Sequence, residues 1–124
     1  MKSILVIEDD KDIQDVLRII FSSFGYKVDC TANGAGLLEM KSDWPDAIVL
    51  DKQLPGLNGV EVCRALKSRD ESQHIPVIMI SAASGVEHAA KLAGADDFIE
   101  KPFNMHVILK KVASLLDRSP QRSR

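Results

Sequence analysis

A decisive excess of charge of either sign is missing from this chain: 16 lysines and arginines stand against 18 acids, a formal net charge of −2. Nucleic-acid binders usually concentrate basic residues on one face, and the only basic cluster here is Arg118, Arg122 and Arg124. Nucleic acid is therefore not expected as a direct partner. Cysteine is scarce as well. Cys30 and Cys63 sit in apolar surroundings, which predicts buried free thiols in a reducing compartment rather than a disulfide or a metal pair. Long apolar runs are also missing: none approaches the roughly 20 residues that cross a bilayer. The run after Met1 is too short for a signal-peptide core and meets acids at once. A cytoplasmic protein with no membrane partner is the expectation.

What is present is ordinary globular composition, with 124 residues, 45% hydrophobic and 27% charged. That is enough for one core and too little for two. The organising stretch is Ala47-Ile48-Val49-Leu50-Asp51, an uninterrupted apolar run ending in a carboxylate and followed by the turn-like Leu54-Pro55-Gly56-Leu57-Asn58-Gly59. Such runs are the habit of strands buried on both faces of a parallel sheet. Similar runs occur at 3–7 and 77–81, and brief strands are expected at 26–30 and 97–99. Between them the period changes to that of amphipathic helices. Ile13, Val16, Leu17, Ile20 and Phe24 form the first stripe, stopped by Gly25; residues 35–41 form a short second helix. Val60, Cys63 and Leu66 mark a third, residues 86–93 a fourth, and Met105, Ile108, Val112 and Leu115 the last.

Five strands alternating with five helices give an α/β fold, a doubly wound five-stranded parallel sheet with helices on both faces. The flavodoxin-like order 2-1-3-4-5 is the natural one for five right-handed units. The domain is expected over 1–118, with 119–124 a flexible tail or the start of a linker. In that order strands 1 and 3 are neighbours, so Glu8, Asp9 and Asp51 converge at the C-terminal edge, where open α/β sheets bind ligands. Gathered carboxylates repel one another, and a hard divalent cation relieves the repulsion. Glu8-Asp9-Asp10 read alone is equally a helix N-terminus dressed with acids, and Asp10 is assigned to that role. Ser81 and Lys101 end strands 4 and 5 on the same edge. A hydroxyl and an ammonium facing a carboxylate and a metal make a cradle for a transferring phosphoryl group. Lys101 precedes Pro102, and a cis bond there would aim the lysine back into the site.

The acidic pair Glu8-Asp9, Asp51 in IVLDKQLPGLNG, Ser81 in VIMISA and Lys101-Pro102-Phe103 after GADDFIE together make the chain resemble a receiver domain of the two-component response regulators, CheY-like, from Ser3 to about Leu116. The resemblance implies a phosphorylation switch rather than an enzyme acting on outside substrates. By it, Asp51 accepts a phosphoryl group from a phosphohistidine of a sensor histidine kinase or a histidine phosphotransfer protein. Magnesium is the implied cofactor, bound by Asp9 and Asp51 directly, by Glu8 through water and by the main-chain carbonyl of Gln53. Ser81 would bond the phosphoryl oxygen, Lys101 would pair with it, and Phe98 would swing inward as Ser81 moves, changing the surface read by a partner or output domain.

Two departures accompany the resemblance. The interval from Ser81 to Lys101 is a residue or two short for the family, and Val107 and Lys111 stand where receivers that dimerise through their last two helices commonly place an acid and an arginine. A pair between Asp97 and Lys111 remains open. The three histidines, His74, His88 and His106, read as surface residues. The alternative class is a magnesium-dependent phosphatase of the haloacid-dehalogenase type, which also uses a strand-end Asp. It needs a second acid two residues on, where this chain has Gln53.

Overall fold

A computed structural model describes residues 1–83 and 85–122, with side chains through residue 117. Strands β1 (Ser3–Ile7), β2 (Lys27–Thr31), β3 (Ala47–Asp51), β4 (Val77–Ser81) and β5 (Asp97–Glu100) form one parallel sheet in the order β2-β1-β3-β4-β5. This is the expected order. Helices α1 (Lys11–Ser23), α2 (Gly34–Leu38), α3 (Gly59–Lys67), α4 (Val86–Leu92) and α5 (Met105–Arg122) connect and cover it. The central strands β3 and β4 are buried along their whole length, as their continuous apolar runs require. β2 lies at one edge, with Lys27 and Asp29 exposed, where water can solvate their charges.

Alternation along the strands sorts the core into two clusters. Ile4, Val6, Val49, Ile78, Ile80 and Ile99 pack with Leu17, Phe21, Ile108 and Val112 of α1 and α5. Ile7, Ile48, Leu50, Val77, Met79 and Phe98 pack on the other face with Leu37, Cys63, Leu66, Val86 and Ala90 of α2, α3 and α4. Successive side chains of a strand point to opposite faces. Asp51 therefore shares the side of Ala47 and Val49, while Ser81 shares the side of Val77 and Met79.

The structure corrects the reading of α1. Asp10 caps the helix as expected, its carboxylate accepting from the N–H groups of Asp12 and Ile13, and Gly25 closes it at φ +88°. The buried face, however, is Gln14, Leu17, Ile20 and Phe21, while Val16 and Phe24 are 40% and 64% exposed. Apolar residues crowd this helix on more than one face, so the periodicity fits two overlapping stripes and the polar Gln14 hid the correct one. In α5, Met105 is likewise exposed, and the buried stripe starts at Ile108. That helix runs to Arg122, past the expected domain end at residue 118. Side chains from 118 and residues 123–124 of the expected tail lie outside the described residues.

After β3, where the sequence predicts a turn, the chain also makes a small antiparallel ladder, pairing Gln53–Leu54 with Leu57–Asn58 across Pro55 and Gly56. Gly56 supplies the positive φ of +67°. Both cysteines are free. Cys63 is fully buried, with burial pushing its thiol up to about 11, whereas Cys30 is only half-buried.

Candidate functional site

Glu8 lies one residue beyond β1 and is fully buried. A charged group reaches that position only if its polar atoms are matched, and here they are. Its N–H donates to the Thr31 carbonyl at 2.9 Å. Its carbonyl accepts from Gln14 Nε2 at 2.5 Å. Oε2 accepts from the Asp10 N–H at 3.0 Å and Oε1 from Lys101 Nζ at 2.8 Å. The same ammonium reaches Asp51 Oδ2 at 3.3 Å, and Asp51 Oδ1 accepts from the Gln53 N–H at 3.3 Å. Asp51 is 4% exposed, whereas Asp9 is open to solvent. One carboxylate oxygen from each of Glu8, Asp9 and Asp51 falls within 4.8 Å of the others.

Electrostatics follow from this crowding. Burial, and beyond it the neighbouring Asp51 carboxylate, push Glu8 up from 4.5 to about 7 against the opposing pull of Lys101 and the Asp10 N–H. Burial alone would lower Lys101, but its hydrogen bonds and charge pairing with Glu8 and Asp51 outweigh that and hold it above its ordinary value. Lys101 thus stays an ammonium that bridges two acids. The Lys101–Pro102 peptide is cis. The donor set is all oxygen, carries excess negative charge and opens to water on the Asp9 side, which fits magnesium, a hard cation that keeps several waters.

Beside Lys101 an open pocket of about 390 Å³ is lined by Ile13, Ala82, Pro102 and Phe103, an apolar rim to a charged site. Ser81, 1% exposed, ends β4, and its Oγ accepts from the Ala83 N–H at 3.0 Å. The Ser81 carbonyl accepts from the Lys101 N–H at 2.8 Å, joining the ends of β4 and β5. Phe98 is 8% exposed and packs with the α2, α3 and α4 cluster. Two further residues were not singled out for the site from sequence. Gln14 holds the Glu8 carbonyl. Gly59 backs directly on the acid's own main chain: its N–H donates to the Lys52 carbonyl at 2.6 Å, and a Cβ there would meet the Asp51 carbonyl oxygen and come within 2.7 Å of Lys52 Cα. The second was visible as a glycine in the turn after Asp51; the first carried no signal in the apolar pattern.

The family model of the response regulator receiver domain matches residues 4–113, nearly the whole described sheet and its helices. The chain belongs to this family. It is 42% identical over 119 residues to the response regulator MprA of Mycobacterium ulcerans (strain Agy99), covering 94% of this chain and 50% of that protein. It thus spans about half the length of the curated relatives it matches. Among solved structures, a CheY-like receiver domain protein from Methanospirillum hungatei JF-1 superposes with a TM-score of 0.87 at 29% identity, covering 98% of both chains. The receiver domain of the sensor histidine kinase PA1611 from Pseudomonas aeruginosa PAO1, which holds a magnesium ion in its active-site cleft, gives 0.83 at 26% identity, with 94% and 98% covered.

In this receiver domain the remaining candidate groups stand apart from the acids. Lys111 Nζ pairs with Asp97 Oδ1 at 2.9 Å, the pair left open by the sequence. His74, His88 and His106 are all exposed. Trp44 precedes β3 and packs against the α2, α3 and α4 cluster. Asp51 is the last residue of that strand, so Trp44 lies before its opposite end, about 13 Å of strand rise from the acidic site. No helix among the described residues is long and apolar enough to cross a membrane.

Proposed function

We propose that this receiver domain accepts a phosphoryl group on Asp51 from a phosphohistidine, borne by a sensor histidine kinase or a histidine phosphotransfer protein in the cytoplasm. The observation that carries the reading is the convergence of Asp51, its two acidic neighbours and one ammonium at a single sheet edge. A carboxylate oxygen of Asp51 attacks phosphorus, the phosphorus–nitrogen bond breaks, and the imidazole nitrogen keeps the electron pair. Lys101 Nζ, already 3.3 Å from Asp51 Oδ2, pairs with the charge that arrives on the phosphoryl oxygens. Asp9 and Asp51 would hold magnesium directly, Glu8 through water, and Gln53 through its main-chain carbonyl. When bound, magnesium neutralises the acids and the phosphoryl oxygens. The apolar rim of Ile13, Pro102 and Phe103 gives the donor protein a surface to cover, excluding water from the transfer.

Ser81 rotates to donate its O–H to a phosphoryl oxygen, and the rotation carries its Oγ away from the Ala83 N–H that it accepts from at 3.0 Å, which shifts Ala83 ahead of α4. Phe98, packed in the cluster that includes Val86 and Ala90, senses that movement, and the altered α4 face is read by a partner or an output domain. The domain in this reading catalyses only its own phosphorylation and dephosphorylation. Incubation with acetyl phosphate and magnesium followed by intact mass measurement tests the assignment: the wild type gains one phosphate and Asp51→Asn gains none. An adduct of equal size on Asp51→Asn removes Asp51 from the role.

A further inference from the structure

We infer that Gln14 is a positioning residue for the metal-binding acids, fixing the aim of Asp9 through the main chain of Glu8; the inference rests on the magnesium reading given above. Gln14 sits in the second turn of α1, 9% exposed, with its own N–H bonded to the Asp10 carbonyl at 3.0 Å. Its side chain reaches back over the start of the helix to the Glu8 carbonyl. A carbonyl only accepts, so the amide must face it with its NH2 group, and the orientation of the side chain is determined. The Glu8 carbonyl and the Asp9 N–H belong to one planar peptide unit. Holding that oxygen therefore sets the plane from which the Asp9 side chain departs. Glu8 is otherwise secured by Thr31, Asp10 and Lys101, whereas Asp9 is exposed and its direction depends on the peptide before it.

Gln14→Met keeps the length and removes the donor; Gln14→Asn keeps the amide and falls one methylene short. Partners that orient metal ligands are typically worth tenfold or more in affinity, so calorimetry is expected to show magnesium Kd raised about tenfold in both. Saturating magnesium should then restore the rate of phosphorylation by acetyl phosphate to near that of the wild type. A lower melting temperature in chelator with an unchanged magnesium Kd would mean that Gln14 only stabilises the fold, and overturns the inference. The wild type gives a check that needs no variant: by NMR, the Gln14 side-chain amide should be protected from exchange and shift along the magnesium titration. A freely exchanging amide, unmoved by magnesium, overturns the inference too. A wild type that binds no magnesium overturns the reading of the site itself, and this inference with it.

Discussion

Replacing Glu8 by glutamine should abolish a specific pH dependence of stability in metal-free protein. Glu8 is fully buried and is pushed up from 4.5 to about 7, chiefly by burial. Between those values the folded chain holds a proton that the unfolded chain has released. Stability falls with rising pH wherever the native state binds more protons. The contribution is thus fully present below 4.5 and is lost as pH rises through about 7. Integrated from pH 5 to pH 8, the loss is roughly 2–3 kcal/mol. Gln is nearly isosteric and cannot ionise. Its weaker bond to Lys101 shifts stability by an offset that changes little across this range. The stability of Glu8→Gln relative to the wild type should therefore rise by roughly 2–3 kcal/mol from pH 5 to pH 8 in chelator. Urea unfolding at four pH values measures it. Parallel curves for the two proteins would refute the reasoning, because they would mean that Glu8 ionises alike in the folded and unfolded chains.

Gly59→Ala should cost about 1–3 kcal/mol by urea unfolding, as overpacking does, although alanine normally improves a helix; a stabilised variant would show that the α3 start yields easily around the Asp51 main chain. Ala83→Glu should shorten the lifetime of the phosphate adduct, because neither Gln53 nor Ala83 offers a carboxylate to activate attacking water, and such assistance is worth roughly a hundredfold or more. Wild-type adduct is expected to persist for minutes or longer. Adduct mass followed over time checks both, and a wild type that decays faster than Ala83→Glu would reverse the ranking of water activation over water access.

Much of the fold was legible because its inner strands are short apolar runs that need no partner to be recognised, and because Glu8, Asp9 and Asp51 stand directly at their ends. Their meeting then follows from strand order alone. Gln14 was illegible for the opposite reason. Its burial depends on a carbonyl six residues back that only the completed β1–α1 turn brings within reach, so pattern counting reads it as a solvent-facing position. The ladder at Gln53–Leu54 and Leu57–Asn58 is two residues deep, below the length at which alternation can be seen. Lys67 shows the same limit: its ammonium joins the Gln73 and Ile75 carbonyls and the Asp96 carboxylate, a long-range convergence with no local signature.

The division of the core by the sheet has a further consequence for the two faces of the domain. Among the described residues the two apolar clusters share no member. The side chains beneath α1 pack with those of α5 and one face of the strands, and those beneath α4 with the other face. Asp51 has the strand parity of the first compartment, Ser81 and Phe98 that of the second, and the Lys101 N–H to the Ser81 carbonyl joins the strand ends between them. In the proposed reading, the face that meets a donor and the face that is read downstream therefore rest on separate cores, as two trades practised under one roof.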